Sequence, residues 1–127
     1  MSERQERRQA TRIAMVGRPS AQARGTLMVW LVDLSATGAR ITLGELLPQG
    51  SSCTLQLPPA LGGLTLSARV VWSAIFGAEQ TPEGERHLLY QSGLAFVDLA
   101  PDQQATLTGA LAQISAGTLF PDGRLPG

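Results

Sequence analysis

The feature that most limits the fold of this 127-residue chain is its division into short extended runs by glycine and proline. Strand-type runs cover residues 13–16, 26–32, 39–43, 52–57, 64–73 and 88–97. Between them stand Gly17-Arg18-Pro19, a polar turn at 20–25, Asp33 to Gly38, Pro48-Gln49-Gly50, Pro58 to Gly63, and a Gly/Pro-containing acidic loop at 74–86. Strands this short bury their apolar faces only when a sheet curls on itself or stacks on another. The expectation is therefore an all-β barrel or sandwich in one domain.

Alternation supplies the inward faces. In residues 39–43, Ile41 and Leu43 fall on one side and Arg40 and Thr42 on the other. Cys53, Leu55 and Leu57 share a face in the next run, and Leu66, Ala68, Val70 and Trp72 share one in the longest run. Trp30 and Trp72 are read as packing residues. Leu46 and Leu47 anchor a loop. The last segment changes period: Leu107, Leu111 and Ile114 recur at three- and four-residue spacing after Pro101, with Asp102 in the first turn. Ala100 is a poor N-cap, and Gly117 is placed to end the helix. The helical stripe is expected to close one mouth of the sheet. Residues 1–12 read as a flexible arginine arm, 13–116 as the folded body and 117–127 as a flexible tail.

Chemistry-bearing residues are sparse. A single cysteine, Cys53, and a single histidine, His87, leave no disulfide and no thiolate or histidine metal cluster within the chain. Cys53 sits in a strand and reads as a buried, inert thiol. No leader or membrane span is visible in the sequence, so a soluble cytoplasmic protein without membrane insertion is expected. The net charge of zero conceals an asymmetry: residues 1–24 hold six arginines against Glu3 and Glu6, a local charge of +4. Cations concentrated at one end suit a compact anionic ligand better than a nucleic-acid polymer.

That end carries Arg7-Arg8-Gln9-Ala10-Thr11-Arg12, and about twenty residues later comes Asp33-Leu34-Ser35-Ala36-Thr37-Gly38. Guanidinium forks match phosphates and guanine edges and stack on purine faces. The second segment places a carboxylate, a hydroxyl and a glycine at a turn between strands, where Asp33 and Ser35 also suit a local Asx or Ser turn. Arg40 either extends the cationic surface or is simply solvated. A triad is not indicated, because Asp33 and Ser35 lack a base, and no enzyme is expected.

Arg8 and Arg12, preceded by Arg7, together with Asp33, Ser35 and Gly38, resemble the divided signature of the PilZ domain family. The Ala39-Arg40 continuation, Val71-Trp72, Gly93-Leu94-Ala95-Phe96 and the lead from Asp98 to Pro101 extend the likeness over roughly residues 7–116. Thr37 departs from it, standing where a second glycine is often found. The resemblance implies a six-stranded antiparallel, split-barrel-like barrel with a C-terminal α-helix. It implies a stand-alone bacterial receptor for the second messenger cyclic di-GMP, with no cofactor. Arg7, Arg8, Arg12, Asp33, Ser35, Gly38 and Arg40 would form the site: arginines on guanine edges and phosphates, Asp33 and Ser35 on a guanine edge or ordering the arginines. The signal would pass to a protein effector from a monomer or homodimer. The alternative is a nucleotide-independent protein-interaction module of the same fold.

Overall fold

The computed structural model describes residues 11–117 and Leu119. Along them run β1 (Ile13–Ala14), β2 (Ser20–Ala23), β3 (Leu27–Leu34), β4 (Gly38–Leu43), β5 (Ser52–Gln56), a 3₁₀ turn at Pro59–Leu61, β6 (Thr65–Gln80), β7 (Arg86–Phe96) and α1 (Pro101–Ser115). All strand pairs are antiparallel, and the ladder order is β1-β3-β2-β5-β6-β7-β4. Because β4 also pairs with β3, strands β2 to β7 form a ring of ladders with β1 added outside it.

Residues 20–23 are a strand, not the polar turn expected. Ala21 and Ala23 alternate inward between exposed Ser20 and Gln22, and both edges of this strand are paired, to β3 and to β5. The alternation was present, but alanine is too weak a strand former, and its neighbours too polar, to announce it. The run at 13–16 contributes only two strand residues. Met15 N–H then donates to the Val32 carbonyl at 2.9 Å, and Leu31 N–H to that of Pro19 at 2.9 Å, so residues 13–23 follow one edge of β3 with a Gly17-Arg18 excursion.

The core is aliphatic. Val29, Leu31, Leu34, Ile41, Leu43, Leu55 and Leu66 are fully buried inside the ring. Cys53 and Leu57 join them as the alternation required, and Leu47, not Leu46, is the loop anchor. α1 contributes Leu107 and Leu111, each stabilising by about 1.5–3 kcal/mol through burial. Its start is fastened by Gln103, which accepts the Ala100 N–H at 3.1 Å and donates to the Thr65 carbonyl at 3.0 Å. Gly117, at φ 76, follows the last turn. No described helix is long and apolar enough to cross a membrane.

Two expectations about the longest run change. Leu66, Ala68 and Val70 point inward, but Trp72 does not, because the register shifts between Val70 and Trp72. The inserted residue, Val71, turns the indole to the outer face. The loop expected at 74–86 is mostly sheet: β6 continues to Gln80 and β7 begins at Arg86. Cross-strand bonding overrides a turn-like composition there, and only the tip bends, with Thr81 N–H donating to the Glu85 carbonyl at 2.8 Å.

Candidate functional site

The site begins at the end of β3. Strict alternation would put Asp33 on the same side as Val29 and Leu31, inside the core. A register shift between Leu31 and Asp33 prevents this and sets Asp33 opposite Arg40 of β4, on the outer face. The carboxylate is nearly buried, its side chain 10% exposed, and both oxygens are engaged. Oδ1 accepts a hydrogen bond from Arg12 Nη1 at 2.9 Å, and Oδ2 forms an ion pair with Arg40 Nη2 at 2.9 Å. One acid thus clasps two guanidiniums, one from the N-terminal segment and one from the sheet.

Each guanidinium retains most of its five donors for an outside acceptor. Two cations around one anion leave local positive charge, suited to a phosphate. The Arg12 and Arg40 side chains are 57% and 39% exposed, so those donors are accessible. Arg7 and Arg8 lie outside the described residues.

The following residues form the turn into β4. Ser35 Oγ accepts the Thr37 and Gly38 N–H groups at 3.2 Å each, and Ser35 N–H donates to the Gly38 carbonyl at 2.9 Å. Ser35 is buried and occupied by its own turn. Gly38 is required by close approach: a Cβ there would collide with the backbone carbonyl oxygen of Leu94 on β7. The signature therefore divides in two, with Asp33 holding arginines and Ser35 and Gly38 holding the shape that aims Asp33.

Pairing extends the site across the sheet. Asp33 faces Arg40, Arg40 faces Gly93, and Gly93 faces Trp72, giving one outer row over β3, β4, β7 and β6. The indole lies over Gly93, where a Cβ would stand 2.7 Å from Trp72 Cε2 and 2.8 Å from Cδ1. Trp72 is 38% exposed, so a flat aromatic surface continues the row beyond Arg40. In the neighbouring row Gly38 faces Ala95, and Ala95 faces the exposed Arg69. On the other side a cleft of about 510 Å³ opens beside Trp30, Thr42 and Gln91. Sequence reasoning missed Arg69 and treated both tryptophans as packing residues, whereas Trp30 and Trp72 are partly exposed on the outer face. The alternation of Arg69 against Ala68 and Val70 was the available signal.

Among the described residues no three His, Cys, Asp or Glu side chains gather as metal ligands would. Cys53 is buried on the opposite side of the sheet, and desolvation pushes its thiol up from its ordinary value despite a lowering contribution from Arg24.

The PilZ domain model matches residues 6–113 of this sequence. The fold is similar to that of the PilZ domain with c-di-GMP of YcgR from Escherichia coli. That match has a TM-score of 0.58 and 17% identity, over 87% of this chain and 97% of that one. The K. pneumonia MrkH–c-di-GMP complex aligns with a TM-score of 0.63 and 15% identity, over 85% of this chain and 52% of that one. The Bacillus subtilis inhibitor of motility, MotI/DgrA, aligns with a TM-score of 0.56 and 22% identity, over 87% and 52%. This chain thus spans about half the length of MrkH and of MotI/DgrA. A search of curated proteins finds no match.

Proposed function

The chain belongs to the PilZ domain family, and on that footing we propose that it is a receptor for cyclic di-GMP that passes the signal to a protein partner. The observation that carries this reading is the Asp33 carboxylate shared between Arg12 and Arg40 at 2.9 Å each. We read the ring of β2 to β7 as the six-stranded barrel on whose outer face the ligand lies.

The chemistry of the row supports the assignment. Cyclic di-GMP presents two phosphate charges and two guanine bases. Arg12 and Arg40 offer donors to phosphate oxygens or to the O6/N7 edge of guanine. Trp72, two strands from Arg40 with its indole over the intervening Gly93, offers a stacking surface. Asp33 is the positioning residue: it fixes both guanidiniums before ligand arrives, which lowers the ordering cost of binding. Ser35 and Gly38 shape the turn that sets Asp33. Arg7 and Arg8 complete the arginine half of the signature and are proposed to close over the ligand from the N-terminal side. Ordering of that segment, at about 1–2 kcal/mol per residue, is the proposed output signal.

Calorimetric titration with cyclic di-GMP tests this reading. Saturable binding is expected, with affinity at least tenfold weaker in Arg12→Ala and Arg40→Ala, since charged hydrogen bonds contribute about 1.5–3 kcal/mol each. No heat up to about 1 mM ligand, with the fold intact, refutes it.

A further inference from the structure

Beyond Val70 the outer edge of β6 has no partner. The β5 ladder reaches β6 only as far as Ser52 opposite Arg69, after which the Gly50 and Ser51 backbones bond to Val70. On the far side, β4 leaves β7 at Leu43 opposite Tyr90. The hairpin therefore projects past the ring; among the described residues no backbone–backbone bond reaches the outer edge of residues 71–80, and the Leu47 carbonyl accepts only the Ser73 hydroxyl, at 2.7 Å. At about 3.3 Å per residue that edge is about 33 Å long.

Exposed edges of such length are normally blunted by lysine, proline, β-bulges or brevity. Residues 71–80 contain neither lysine nor proline, and the register shifts at Val70/Trp72 and Ile75/Gly77 bend the strand while leaving its outer backbone groups unpaired. Val71, Ile75 and Phe76 are 48%, 66% and 58% exposed. Apolar side chains beside open hydrogen-bonding groups call for a strand to pair with.

The order of side chains says which strand. Arg69, Trp72, Ala74, Gly77 and Glu79 face successive alternate residues of β7 (Ala95, Gly93, Gln91, Leu89 and His87), so they share the outer face. Along the strand the pattern is a cation at the inner end, Ile75 and Phe76 in the middle, and an anion at the outer end. Reversed end for end, that pattern is complementary to itself, as an isologous interface requires.

We propose that two copies of this chain dimerise through this edge, β6 running antiparallel to β6 about a two-fold axis near Ile75 and Phe76. Trp72 then stands opposite the partner's Glu79, with Arg69 as the diagonal neighbour on the same face, within reach of a long side chain. The pair forms twice by symmetry, flanking an apolar centre. The dimer continues one antiparallel sheet across both copies and removes the exposed edge from each. It also sets the partner's Glu79 at the end of the row that holds Arg40 and Trp72. The inference rests on the pairing register and does not require the ligand assignment.

Sedimentation equilibrium on the full chain, from about 1 to 300 μM, tests it. A dimer is expected, weakened about tenfold by Arg69→Glu and by Glu79→Arg, because each reversal sets like charges together twice. The double variant carrying both reversals is expected to restore the wild-type constant, with circular dichroism showing native strand content in all three. A monomer throughout the range overturns the proposal and leaves the edge to a strand of another sequence. A dimer indifferent to either reversal, or not rescued by the double variant, overturns it equally.

Discussion

Gly38→Ala isolates the contact on which the signature turn depends. The added methyl collides with the Leu94 carbonyl oxygen, lies 3.4 Å from that carbonyl carbon and 3.5 Å from the Ala95 Cα. All three atoms are backbone, so no side chain can swing aside. Restoring normal contact needs a shift of about 1 Å between β4 and β7. That shift strains the bond from Phe96 N–H to the Thr37 carbonyl, 2.9 Å, and the bond from Gly38 N–H to Ser35 Oγ, 3.2 Å. Overpacking costs about 1–3 kcal/mol, and one lost bond adds about 1 kcal/mol. The expected loss is therefore about 2–4 kcal/mol, or about 10 °C in Tm for a domain of this size. Urea unfolding measures it. Gly109→Ala is the control: nothing lies within 4 Å of its added methyl, and it sits inside α1. It should stabilise by up to about 1 kcal/mol through helix propensity. A Gly38→Ala protein within about 0.5 kcal/mol of wild type would refute the argument.

Three further outcomes are expected. Gly93→Ala displaces the Trp72 indole; tryptophan emission should change and cyclic di-GMP affinity fall about tenfold, and an unchanged affinity removes Trp72 from the site. Gln103→Ala removes the bonds to Ala100 N–H and the Thr65 carbonyl and should cost about 1–2 kcal/mol in urea unfolding; a change below about 0.3 kcal/mol contradicts that role. The Cys53 thiol is raised by burial from its ordinary 9.0, so the unfolded chain ionises first. Its contribution is complete below about pH 9 and is lost as pH rises through the raised folded value, so wild type should lose stability relative to Cys53→Ala between pH 7 and 10.

The strands with strong alternation, Ile41 and Leu43 in β4 or Cys53 and Leu55 in β5, were legible in the residues themselves, as was the Leu107–Leu111 stripe of α1. Side-chain period is a local property, and burial simply follows it. The linear pattern of Arg12, Asp33, Ser35 and Gly38 was legible too, because spacing along the chain needs no fold to be read. The part played by each was not. Ser35 could be assigned to its turn, and Gly38 to the Leu94 carbonyl, only once β4 lay against β7.

The outer row itself came from two inserted residues. One shift between Leu31 and Asp33 and another between Val70 and Trp72 reverse the local alternation at both ends. Without them Asp33 would point into the core and the indole would follow Val70 inward. A bulge depends on which neighbouring strand supplies the hydrogen bonds, and no window of sequence holds that information. Ser20–Ala23 became a strand, and residues 74–80 an open edge, for the same reason. Composition and spacing selected the chemistry; ring closure selected where each group points.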